Sequence, residues 1–249
     1  MGDFRGRARV PDPGGVAVAG AFAFRPGMLG GNAGGRVMQA ARPLEVRIEH
    51  PYLLRLYGVS EAEFEAIADE DLKAEYLHGV MVVHSPASFA HEDRQAFLLT
   101  LLRFYTEAYG IGKVVGGNAL FRTGSWQFAP DVMAVSREAR VTAKRVEAVP
   151  LLVIEILSES TRDYDLGEKR NTYWEIGVPE IWWVDPEERV VIIDRRGSGD
   201  LYHEEMAREG WVVSETVPGF RIRAEWLWQE PLPSVLECWE AIQHMASGG

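Results

Sequence analysis

Four side chains in this sequence have the types and spacing of a hydrolytic centre: Glu75, Asp131, Glu155 and Lys169. Glu155 is the one charge in the apolar run from Leu151 to Leu157, which reads as a strand buried on both faces. A carboxylate there is expensive to desolvate unless a cation or strong donors compensate it. Asp131 opens a second strand-like stretch, FAPDVMAVS over 128–136, directly after Pro130. If the two strands are neighbours, both acids converge at one edge of a sheet. Two hard oxygen ligands with open positions suit Mg²⁺ or Mn²⁺, which keep several waters. Such an ion activates water and offsets charge developing on a phosphodiester, and Lys169, one helix later, can add a further positive charge.

The elements that must position these groups are legible in part. Pro150 precedes the central strand, and Ser158, Ser160 and Thr161 follow it with helix-starting chemistry. A helix is expected from about Arg162 to Ile176, ended by Gly177 and Pro179, with Asp165, Lys169 and Tyr173 on one face. Upstream, order is expected from about Pro51. Ser60 and Glu63 form a capping box before a short helix. KAEYLHGVMVVHSP, residues 73–86, reads as a hairpin turning at His78-Gly79, with Glu75 at its opening. Taken alone, Glu75 there reads as a solvated strand-edge acid. Ser88 to Tyr109 is an amphipathic helix closed by Gly110, and His91 in its first turn reads as a surface or capping residue or as part of a site.

Short strands are expected over 112–116 and 119–123, and a hairpin over 180–186 and 189–195. LYHEE and WVVSE are expected as edge strands, and a C-terminal helix begins near Ser234. Arg137, Arg140, Lys144 and Arg145 form the most basic patch outside the N-terminal segment.

Composition narrows the classes. The chain has 249 residues, 47% hydrophobic and 25% charged, as in an ordinary globular protein. Its net charge of −11 argues against a protein that coats DNA generically, though not against an enzyme that touches it locally. The single cysteine, Cys238, excludes an intramolecular disulfide and a cysteine-based zinc cluster, and fits a cytoplasmic setting. No apolar run reaches the roughly 18 residues of a membrane span. Residues 1–42 carry six arginines against Asp3 and Asp12, lack a helical or strand period, and read as a flexible Gly/Arg-rich tail ahead of one domain over 43–249.

The segments APDVMAV, LLVIEILSEST and GEKRNTYWEIGVPEIWWVDP, in that order, resemble the PD-(D/E)xK nuclease superfamily, and within it the Uma-two-like restriction endonuclease family. The resemblance runs from about Tyr52 to Phe220. It implies an α/β, restriction-endonuclease-like fold, with a mixed β-sheet core flanked by helices. It places the family's Pro-Asp on Pro130-Asp131, its strand acid on Glu155 and the acid of its first hairpin on Glu75. The superfamily's lysine position, two residues after the acid, holds Leu157; in this branch the lysine lies in the next helix, which points to Lys169. Glu159 replaces a usual proline, an expected change of turn rather than of site. The implied activity is metal-dependent cleavage of DNA, with Asp131 and Glu155 as ligands to Mg²⁺ or Mn²⁺. A homodimer would suit double-strand cutting. Two other readings stay open: an idle nuclease-fold protein that binds nucleic acid or a protein partner, and a phosphohydrolase for smaller nucleotides.

Overall fold

A computed structural model of the chain describes residues 45–49, 53–68 and 72–247; the tail expected over 1–42 lies outside them. In chain order come β1 (Glu45–Glu49), β2 (Leu53–Tyr57), α1 (Glu61–Ile67), β3 (Ala74–Leu77), β4 (Val80–Val83) and α2 (Phe89–Tyr109). Next are β5 (Gly112–Gly116), β6 (Leu120–Thr123), β7 (Trp126–Phe128), β8 (Val132–Ser136), β9 (Arg145–Val146) and β10 (Leu152–Ile156). Three short pieces follow without a break: α3 (Arg162–Tyr164), a π-helical segment (Asp165–Lys169) and α4 (Arg170–Glu175). The chain then continues through β11 (Glu180–Asp185), β12 (Val190–Arg196), β13 (Tyr202–Ala207), β14 (Trp211–Val213), β15 (Arg221–Arg223) and α5 (Val235–Ser247).

Among the described residues the strands make three sheets. The central one has the order β13-β12-β11-β10-β8-β5 and is mixed, since β10 and β11 run parallel while their neighbours are antiparallel. A seven-stranded sheet has the order β1-β2-β4-β3-β7-β6-β9, and β14 pairs with β15 apart from both.

Alternation along the strands assigns the layers. In β10, Leu152, Ile154 and Ile156 pack with Leu98, Leu101 and Leu102 of α2 and Ile242 of α5. Val153 faces the other way and packs with Tyr173, Trp183, Phe121 and Phe128. The central sheet is therefore covered by α2 and α5 on one face, and by the helix over 162–175 and the seven-stranded sheet on the other. A third apolar cluster, Val59, Phe64, Tyr76 and Met81, seals the far side of the second sheet under α1.

The α/β architecture with a mixed sheet and flanking helices stands, but the strands do not form one sheet. The chain changes sheet after β5, where Gly117 adopts φ +72° and lets it turn towards β6. Ordered backbone starts earlier than Pro51, with β1 paired to β2 from Glu45↔Tyr57. LYHEE supplies the edge strand β13, whereas WVVSE supplies β14, which pairs with β15 rather than with the central sheet.

Candidate active site

Strand register brings the first two acids together. The antiparallel ladder Leu152↔Ala134, Val153↔Met133, Ile154↔Val132, continued one step, sets Asp131 opposite Glu155. The Asp131 amide donates to Glu155 Oε2 at 3.4 Å, and the Ile156 amide donates to Asp131 Oδ2 at 2.8 Å. The Asp131 carbonyl is pinned by the Gln95 side chain at 2.9 Å and the Gly117 amide at 3.1 Å. A Cβ on Gly116 would lie 2.1 Å from that oxygen, so the approach requires glycine there.

Parallel pairing brings the lysine. Strands β10 and β11 cannot be joined by a tight turn, so the chain must cross over between them, and the crossover is the helix over 162–175. Its π-helical middle turns Asp165 and Lys169 inward, and single-turn π segments recur at functional sites. Lys169, only 1% exposed, sets Nζ 2.8 Å from Glu155 Oε1 and 2.9 Å from Glu75 Oε1, with Asp165 Oδ1 at 3.8 Å.

Glu75 is 0% exposed, the opposite of a solvated edge acid. The reason is topological: β3 is paired on both sides, with β4 and β7, and Glu75 projects between the two large sheets while Ala74 and Tyr76 face α1. Its Oε2 lies 3.0 Å from His84 Nε2 and accepts from the Tyr164 hydroxyl at 2.8 Å; its Oε1 accepts from the Ala129 amide at 3.2 Å. Glu155 Oε1 also accepts from the Tyr173 hydroxyl at 2.6 Å. Asp131 Oδ1 holds Lys73 Nζ at 2.7 Å, and Asp131 Oδ2 lies 3.1 Å from His91 Nε2. All four expected site residues thus converge, and His91 and Asp165 join them.

Lys73, His84 and Tyr164 lie outside the expected set. Lys73 and Glu75 are two apart in an extended stretch, which puts them on one face; that spacing was the available signal. Tyr173 shared the expected helix face with Lys169, but its hydrogen bond to Glu155 depends on tertiary packing. The basic patch stays elsewhere: Arg145 pairs with Glu65 and Glu147, and Arg137 donates to the Gly110 carbonyl.

Four carboxylates here face two ammonium groups, leaving the cluster two charges negative when every acid is ionised and the histidines are neutral. Burial opposes the ionisation of Glu75, but Lys169 and His84 outweigh it and hold the carboxyl below its usual range. Asp131 is likewise held low against burial by Lys73 and His91. Glu155 goes the other way: burial, then the charges of Asp131, Asp165 and Glu75, outweigh Lys169 and push it up to about 7. Lys169 is held well above its ordinary value, because Glu155, Glu75 and Asp165 together outweigh its burial. The asymmetry has a simple cause. Lys169 has three acids to itself, while Glu155 must share one lysine. Asp165 is also raised, chiefly by burial, so Glu155 and Asp165 are the two acids of the cluster least favoured as anions.

The donor set fits a hard divalent ion in its chemistry: the Asp131 and Glu155 carboxylates and the Ile156 carbonyl oxygen, in a cluster with surplus negative charge. Among the described residues, no three histidine, cysteine or acid side chains enclose an ion by themselves. The acids instead hold Lys73 and Lys169. The cluster opens into a cleft of about 1440 Å³, lined by Lys73, His84, His91, Asp131, Glu155 and Lys169 among others.

Residues 61–225 match the Uma2 family, described as "Putative restriction endonuclease". The chain belongs to this family. The matched span contains every member of the cluster and ends before α5. The Uma2 fold seen here resembles the crystal structure of "a putative nuclease belonging to DUF820" from Anabaena variabilis, with a TM-score of 0.59 and 16% identity. That match covers 68% of this chain and 97% of the other, and at this identity it speaks for the shared fold. No curated protein matches the chain. No helix among the described residues is long and apolar enough to cross a membrane.

Proposed function

We infer that this Uma2 protein is a metal-dependent endonuclease that hydrolyses DNA phosphodiester bonds in the cleft. The observation that carries the reading is the Lys169 ammonium, buried between Glu75 and Glu155, the latter bonded to the Asp131 amide. Asp131, Glu155 and the Ile156 carbonyl would hold Mg²⁺ or Mn²⁺. The bound ion would supply an activated water and a counter-charge to the developing phosphorane.

The chain's own groups do the rest. Lys169, fixed by two carboxylates and set over the Tyr173 ring, presents a positive charge that needs no reorganisation during reaction. Glu75 acts through Lys169: with its second oxygen held by His84 and Tyr164, it sets where the ammonium sits. Lys73 balances Asp131 and is a quarter exposed at the cleft wall, where a phosphate oxygen of the substrate can reach it. The cleft exceeds the roughly 300–1,000 Å³ of small-molecule sites, which favours a polymer over a single nucleotide.

One observation favours the idle-scaffold alternative: both metal-ligand candidates are already paired with ammonium groups. Incubation of plasmid and single-stranded DNA with the protein and Mg²⁺, Mn²⁺ or chelator separates the two. The endonuclease reading expects cleavage with metal, none in chelator and none from Glu155→Ala. Intact DNA under every metal condition would favour the scaffold.

A further inference from the structure

His91 stands at the first turn of α2, where the Ser88 hydroxyl caps its amide. Its ring is turned into the acid cluster. Nε2 lies 3.1 Å from Asp131 Oδ2 and 3.1 Å from the Ile156 carbonyl oxygen. Both neighbours are pure acceptors, and both belong to the donor set assigned above. In this structure Nε2–H donates to these two oxygens, and the 3.1 Å separations match the roughly 3 Å between adjacent donors of an octahedral ion with bonds near 2.1 Å, so an ion could take the place of that proton. Nδ1 is buried and has no hydrogen-bond partner among the described residues. The nearest acid, Glu92 Oε1, is 3.9 Å away on a side chain 63% exposed and free to turn. A metal-bound histidine carries its proton on that nitrogen and donates it to a carboxylate, a carbonyl or water.

Resting on the metal-dependent reading above, we propose that His91 Nε2 is a direct ligand of the ion, beside Asp131 and the Ile156 carbonyl, with Glu92 as the acceptor for Nδ1–H. With Glu155, the set is two carboxylates, one imidazole and one backbone oxygen. An imidazole in the shell shifts preference from Mg²⁺ towards first-row transition ions, because nitrogen ligands suit those ions and magnesium prefers oxygen and water.

Mn²⁺ alone, added to the full chain, provides the test through two readouts: affinity, from loss of the free-ion electron paramagnetic resonance signal, and electron spin-echo modulation from coordinated nitrogen. The bound ion should show ¹⁴N modulation that changes to the ¹⁵N pattern in protein grown with ¹⁵N-histidine. His91→Ala should abolish the modulation, weaken Mn²⁺ binding about tenfold or more, and narrow the preference for Mn²⁺ over Mg²⁺. Glu92→Ala, on the exposed side of the helix, leaves packing intact; it should weaken binding about tenfold while keeping the modulation. Tight Mn²⁺ binding without nitrogen modulation, or with modulation that survives His91→Ala, would overturn the proposal and leave the metal-dependent reading standing. Failure of the unaltered protein to bind Mn²⁺ at millimolar concentration would overturn both.

Discussion

Lys169 is the residue on which the electrostatics of the cluster turn. Its ammonium sits within hydrogen-bond distance of two buried carboxylates, in a space with 1% exposure. A guanidinium fork is wider than an ammonium and projects its charge differently. Lys169→Arg should therefore lose activity despite keeping the charge. Lys169→Ala should cost about 2.7–4 kcal/mol of transition-state stabilisation, as for other single charge-stabilising groups. Lys169→Met also leaves Glu75 and Glu155 without their shared cation, and should cost about 3–5 kcal/mol of folding stability, measured by denaturant unfolding in chelator. Full cleavage by Lys169→Ala would move the role to another cation, with Lys73 the nearest. At this scale the sequence was informative where chemistry and pattern coincide. An acid inside an apolar strand and an acid after proline announce themselves. Glu75 looked ordinary because the second strand neighbour that buries it, β7, comes about fifty residues later in the chain.

The elements do their positioning through two topological facts, one readable and one hidden. The apolar runs over 128–136 and 151–157 are visible as strands, and their antiparallel pairing is enough to join Asp131 to Glu155. The helix after the second strand was also visible, with its end at Gly177. Its π-helical middle was not, because π and α turns use the same residue types and differ only in hydrogen-bond partner. The two-sheet arrangement was hidden for a related reason: three- to five-residue strands pair with partners remote in sequence, and no periodicity names the partner. Gly167 lies within the π segment, and a Cβ there would meet no atom within 4 Å. Gly167→Ala should hence add about 0.5–1 kcal/mol of stability by restricting the unfolded chain, with cleavage unchanged. Loss of cleavage in that variant, with the fold retained, would show that the segment must flex during turnover.

Across the whole molecule, two sheets and a crossover helix enclose a cluster with more negative charge than its lysines balance. The pH dependence of the metal-free protein follows from the individual groups. The Glu155 carboxyl is higher in the folded chain than in the unfolded one. Its contribution to stability is complete below the unfolded carboxylate value and is lost as pH rises through about 7. Glu75 and Asp131 are depressed, so their contribution is present above the unfolded values and is lost as pH falls through the folded ones. In chelator, stability should peak at mildly acid pH, about 5, and added Mn²⁺ should flatten the alkaline side. The most direct measurement is the melting temperature of Glu155→Gln at pH 8, in chelator and in Mn²⁺. Glutamine keeps the size and can still accept from Tyr173, and Lys169 retains Glu75 at 2.9 Å. If Glu155 carries charge meant for a cation, the variant should melt no lower than the parent in chelator and should lose the stabilisation that Mn²⁺ gives the parent. A marked drop in chelator, with the Mn²⁺ response intact, would mean that Glu155 is half of a structural ion pair and would contradict the account.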